Sequence, residues 1–144
     1  MGRVVIHLHG SSKNVAFRSA ITDYSNRLTS SGVSLVVHSD KTSAEEYLKQ
    51  VSRQAGDNQL TLLMESGEEM DSTTFSKLYS TWRMSRSDTH LVVGPSDGFG
   101  EEGMTYPGLS LSKMTMQHEL AVVVLLEQLY RAASIQEGRP YHRG

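Results

Sequence analysis

Val4-Val5-Ile6-His7-Leu8, closed by Gly10 and followed by Asn14 and the helically spaced Ala16, Phe17, Ala20, Ile21, Tyr24 and Leu28, is the stretch on which the architecture turns. An unbroken β-branched run that ends in glycine reads as a strand buried on both faces, and the 3.6-residue spacing after a capping Asn reads as a helix. The same alternation then repeats. Ser30-Ser31-Gly32 ends the helix and Val33 to Val37 forms a second strand. Thr42-Ser43-Ala44-Glu45 opens a second helix, with Thr42 and Glu45 as a capping box. Leu60 to Met64 supplies a third strand. After Gly67 and the acidic turn Glu65, Glu68, Glu69, a cap at Asp71 or Ser72 starts a helix through Phe75, Leu78, Tyr79 and Trp82, and Leu91-Val92-Val93 makes a fourth strand. Repeated βα units predict an α/β fold, a mostly parallel sheet with helices on both faces.

Beyond Val93 the pattern changes. Gly94 to Gly108 is a loop with five glycines and two prolines, followed by the alternating Leu109-Ser110-Leu111-Ser112. Loops of this kind are where function usually sits. The last helix, from about Gln117 to Ser134, is apolar around most of its circumference and so needs burial on more than one side, either within the core or against a second subunit.

The chain has 144 residues, one domain's worth, with 38% hydrophobic and 21% charged residues and no cysteine. Disulfides, Cys-ligated zinc and thiol catalysis are therefore excluded. The longest apolar run, Leu120 to Leu126, is far short of the roughly 20 residues that span a membrane. Met1 to Ile6 lacks the apolar stretch of a signal peptide, so a cytoplasmic location is expected. A net charge of -2 argues against broad binding to a nucleic-acid backbone, yet residues 128 to 144 carry Arg131, Arg139 and Arg143 against Glu137 alone.

Gly98-Phe99-Gly100-Glu101-Glu102-Gly103 matches a G-x-G-x-x-G pattern, but the following segment contains Pro107 and alternation, and two glutamates would repel a pyrophosphate. His7 and His9 share one strand face, but without a third ligand they read as packing residues, as do His38 and His90. No metal site is expected.

Three motifs occur in order in the C-terminal third: Leu109 to His118, Leu125-Leu126-Glu127-Gln128-Leu129-Tyr130-Arg131-Ala132, and Pro140-Tyr141-His142-Arg143. Together they resemble the RlmH family of SPOUT-class methyltransferases, which use S-adenosyl-L-methionine to methylate N3 of a pseudouridine in large-subunit ribosomal RNA. Leu62 to Gly67 and Val93 to Gly98 look like two further family turns. The similarity is strong over about residues 60–143 and weaker before them.

The resemblance implies a single SPOUT domain over residues 1–144, with a C-terminal trefoil knot and cofactor region at about 90–136, a catalytic tail at 139–144, and a homodimer that builds the site. It places the cofactor against Leu63, Gly94, Ser112, Lys113, Met114, Thr115, Met116 and Gln117, and assigns catalysis and RNA positioning to His118, Tyr141, His142 and Arg143. The implied partner is ribosomal RNA, within an assembled particle that supplies most of the recognition surface, and no membrane. The small residues Gly94, Gly98, Gly108, Ser110 and Ser112 suit a place where backbones cross closely. Three positions depart from the family pattern: Pro95 for a second glycine, Met64 for an aspartate, and Gln117 for a proline. Pro95, Met64 and the acidic pI motivate the alternative of a noncatalytic RNA-binding or ribosome-assembly dimer with the same fold.

Overall fold

The structure, a computed structural model, describes residues 1–143; the last residue of the expected domain and tail, Gly144, lies outside them. Its elements are β1 (Val4–His9), α1 (Val15–Leu28), β2 (Val33–His38), α2 (Ala44–Ala55), β3 (Gln59–Glu69), α3 (Ser72–Met84), β4 (Thr89–Val93), β5 (Gly108–Ser110) and α4 (His118–Gln136). The five strands form one sheet in the order β2-β1-β4-β3-β5, and every recorded pairing is parallel.

Helices cover both faces, as expected, but unequally. The even-numbered side chains of β1, Val4, Ile6 and Leu8, join Leu91 and Val93 in a core with α1, α3 and α4. On the other face α2 alone packs Tyr47, Leu48 and Val51 against Leu62 and Val92. Helix α4 lies between α1 and α3 over the sheet and buries Leu125, Leu126 and Leu129 completely. At about 1.5–3 kcal/mol per fully buried side chain, these three anchor the C-terminal third. Its all-round apolarity is thus largely met within one chain. Val123 stays half-buried, and Leu120 is 36% exposed at the helix start.

Helix starts follow the capping residues, with one correction. Asn14 accepts from the backbone of Ala16 and Phe17, and Asp71 rather than Ser72 accepts from Thr74 at 2.8 Å. At α2 the cap is Ser43, whose hydroxyl accepts from Glu46 N at 3.1 Å, not Thr42. The Thr42 hydroxyl donates backwards to the Ser39 carbonyl and is already engaged in the preceding turn.

The second correction concerns β3, which runs on through the acidic segment read as a turn. Leu109 is opposed by both Leu63 and Glu68, so residues 64–67 bulge out of the β3–β5 ladder while Glu68 and Glu69 return to it. Gly67 makes this possible, because a Cβ there would lie 2.5 Å from the Gly108 carbonyl carbon. Bulges re-aim side chains at sheet rims, and this one turns Met64, Glu65 and Ser66 towards a cleft. Of the small residues expected at close crossings, Gly94 and Gly108 are crowded. Gly98 has open space about it and is required instead by its φ of 81°. After Gly100 the chain makes a 3-10 turn, Glu101–Thr105, rather than the α-helix a dinucleotide fingerprint would need.

Candidate cofactor cleft and C-terminal tail

At the C-terminal rim of the sheet a cleft of about 600 Å³ opens between the bulge after Leu63, the loop from Gly94 to Gly100, and the segment leading into α4. This is the volume range of small-molecule sites, and the rim of a parallel sheet is where such sites form. Of the residues expected to meet a cofactor, Leu63, Gly94, Ser112, Met114, Thr115, Met116 and Gln117 all line it, and so does His118. Lys113 does not. Its side chain is directed outward to an ion pair with Glu69 at 3.5 Å.

The wall was only partly legible in the sequence. Phe99 also lines the cleft, and a Cβ on Gly94 would sit 2.9 Å from its ring. Gly94 therefore has no side chain because the space belongs to Phe99 and to whatever fills the cleft. Glu65 and Asp97 provide carboxylates there. A bound molecule with hydroxyls and cationic groups, such as a nucleoside sulfonium, matches that set of donors and acceptors.

Gln117 caps α4 by accepting from Leu120 N at 2.9 Å. Glu119, in its first turn, accepts from the backbone of Lys13 and Asn14 and from the Ser12 hydroxyl. These bonds, the Ser12 bond foremost, hold its carboxyl below the usual range. They tie the start of α1 to the start of α4, next to Gln117 and His118, which line the cleft.

Tyr141, His142 and Arg143 are not at this cleft. They follow the other end of α4, whose 19 residues span roughly 28 Å at about 1.5 Å per residue. There Tyr141 packs edge-on against Tyr130 at 4.8 Å and shares a 3.4 Å hydrogen bond with Tyr24, which is the main reason its hydroxyl is pushed up to about 12. Arg131 holds Glu127 at 2.8 Å and donates to His142 Nδ1 at 3.0 Å. A guanidinium has only donors, so His142 Nδ1 is an acceptor and the neutral ring carries its proton on Nε2. Arg139 lies 5.0 Å over the Tyr130 ring and pairs with Glu137 at 2.7 Å.

A third cluster escaped the sequence reading. His7, His38 and His90 stand on three adjacent strands, on the α2 face, and are all buried. His7 Nδ1 lies 2.8 Å from His38 Nε2, and His7 Nε2 lies 2.8 Å from His90 Nδ1. His38 Nδ1 donates to the Gln50 amide oxygen at 3.2 Å. Starting from that acceptor, only one neutral pattern satisfies every bond: each ring carries its proton on Nδ1. Burial first, then the neighbouring rings, pushes His7 down to about 3. No local signal marks these residues, since the strand order alone makes them neighbours. His9 shares their face, and its Nε2 donates to the Thr42 carbonyl at 2.8 Å. Among the described residues no group of three or more His, Asp or Glu is arranged to hold a metal ion, and no helix is long and apolar enough to cross a membrane.

A five-stranded parallel sheet with a glycine-walled cleft at its rim, completed by the segment entering the last helix, is an arrangement that comparison with known proteins identifies. The family model described as "Predicted SPOUT methyltransferase" matches residues 3–142, and the chain belongs to that family, whose methyl donor is S-adenosyl-L-methionine. Within it the chain falls among the proteins named ribosomal RNA large subunit methyltransferase H. The one from a Synechococcus strain is 34% identical over 98% of this chain and 95% of its own length. That of Nitrosomonas eutropha is 40% identical over 58% of this chain, and there the match spans 56% of the relative's length. Among solved structures, TrmJ from Z. mobilis superposes with a TM-score of 0.54 over 92% of this chain and 70% of its own; at 7% identity the likeness is one of fold.

Proposed function

We propose that this protein transfers the methyl group of S-adenosyl-L-methionine to N3 of a pseudouridine in large-subunit ribosomal RNA. It acts as a homodimer, on an assembled ribosomal particle in the cytoplasm. The observation that carries the reading is the cleft itself, which gathers every expected cofactor residue except Lys113 from three separate segments of the chain, in a chain similar along its length to enzymes of that name.

The cofactor, when bound, supplies a methyl group on a sulfonium leaving group. The chain's residues have to exclude water, align the nucleophilic nitrogen in line with the methyl carbon, and let the N3 proton depart. Leu63, Leu111 and Met116 give the cleft apolar walls, and His118 stands at its edge. The groups suited to the base are on the tail: Tyr141 to stack, Arg143 and Arg139 for phosphates, and His142. Because Arg131 occupies His142 Nδ1, the ring is set to polarise a base carbonyl through its Nε2 proton. It could accept a proton only after that contact opens.

The tail packs on Tyr130 and Arg131, roughly 18 Å along α4 from His118 at the cleft, and this separation supports a homodimer in which the tail of one copy serves the cleft of the other. Threading of residues 90–136 as a trefoil knot belongs to the same reading, supported by β5 pairing outside β3 while α4 returns between α1 and α3. The weak positive balance of the tail fits a substrate that is already an assembled particle, whose protein and RNA surfaces supply most of the recognition.

The test is methyl transfer from labelled cofactor to ribosomes that lack the modification, with the product nucleoside located by mass spectrometry. One methyl group on N3 of a pseudouridine is expected. Cofactor binding without any transfer to ribosomes would instead establish the noncatalytic dimer.

A further inference from the structure

We infer that Tyr47, in the first turn of α2 and remote in sequence from the cleft residues, is the positioning residue that sets the first peptide of the cofactor loop. The inference rests on the reading of the cleft as the cofactor site. Tyr47 is fully buried, and its hydroxyl donates to the Val93 carbonyl at 2.7 Å. Val93 is the last residue of β4, and Gly94, which follows it, walls the cleft. A trans peptide points its N–H away from its C=O. Holding the Val93 carbonyl on the α2 side therefore also fixes the direction of the Gly94 N–H, the first backbone donor of the loop that walls the cleft.

The phenol can act as a fixed arm because its own surroundings are rigid. Its ring lies 5.2 Å from His38, edge-on, and 5.0 Å from His9. His38 is held in turn by His7 and Gln50, so the histidine row forms the bed on which the arm rests. Burial pushes the Tyr47 hydroxyl well above the usual phenol range, which keeps it a neutral donor. Nothing else the structure shows for Tyr47 requires the hydroxyl: a phenylalanine would pack against Leu48, Val51, Leu62 and Val92 equally well.

Tyr79 provides a matched control. It too is buried, and its hydroxyl donates to a backbone carbonyl, that of Ser31, at 2.9 Å, but in the core on the other face and away from the cleft. Tyr47→Phe and Tyr79→Phe each delete one buried phenol-to-carbonyl bond, and both should lower the melting temperature. Only Tyr47→Phe should weaken S-adenosyl-L-methionine, by about threefold to tenfold in calorimetry, the range expected for one backbone donor out of line. The KM for cofactor should rise by the same factor while kcat at saturating cofactor stays near wild type, and the Gly94 amide resonance should shift in the unliganded protein. Unchanged affinity in Tyr47→Phe, or an equal loss in Tyr79→Phe, overturns the inference and leaves the cleft assignment standing. A wild-type protein that does not bind the cofactor overturns the cleft assignment itself, and this inference with it.

Discussion

The buried histidine row makes this protein's stability depend on acid in a way a single substitution can isolate. His7 has no exposed surface and sits between His38 on β2 and His90 on β4, with Tyr47 and Gln50 facing the row from α2. In the folded chain its imidazole is pushed down to about 3 from 6.5, so between those values the unfolded chain binds a proton that the folded chain refuses. Stability from this group is complete above about 6.5 and drains away as pH falls towards 3; His90, lowered mainly by burial, adds in the same sense. At about pH 5 the loss from His7 alone is about 2 kcal/mol, a large share of a domain's marginal stability. The perturbation is His7→Gln, which keeps a donor and an acceptor but does not titrate. Urea unfolding followed by circular dichroism at about pH 7.5 and about pH 5 should show wild type losing about 2 kcal/mol more than the variant between the two. Asp71 and Glu119 also contribute pH dependence, since each is held below the usual carboxylate range, but they do so equally in both proteins. If the variant loses as much as wild type, His7 is not neutral in the fold and the tautomer pattern of the whole row is wrong.

Two outcomes bear on the cleft and the dimer. Gly94→Val should abolish S-adenosyl-L-methionine binding in calorimetry while leaving the fold intact, because its Cβ meets Phe99 at 2.9 Å and its methyl groups must enter the cleft; unchanged affinity would move the cofactor elsewhere. Gly94→Val and His142→Ala should each be inactive as pure dimers, yet co-expression should restore methyl transfer to about a quarter of wild type. Half of randomly paired dimers would then carry one site made of an intact cleft and an intact tail, and no restoration would mean that each chain works alone.

The βα alternation and the cap at Asn14 were legible because they depend on residues a few positions apart, and the parallel sheet followed from the alternation, whereas the cap of α3 was narrowed only to Asp71 or Ser72. Residues 109–118 and 125–132 could be matched to a family for the related reason that short motifs stay intact in one segment. The continuation of β3 through Glu68 and Glu69 was not legible, since acidic residues favour a turn until β5 is present as a pairing partner and Gly67 allows the two backbones to meet. Thr42 read as the cap because Glu45 completes a capping box with it, and only the turn at Ser39, which engages the Thr42 hydroxyl, leaves the cap to Ser43. His7, His38 and His90 are 31 and 83 positions apart as bonded pairs, and no periodicity links them; the strand order β2-β1-β4 does. Local sequence thus determined most of the strands and helices. Tertiary structure alone decided which side chains met, placing Tyr47 under Val93, carrying Lys113 out of the cleft, and setting Tyr141 and His142 against Tyr130 and Arg131 and not at the cleft, because those distances depend on how the segments stack and not on how the chain is ordered.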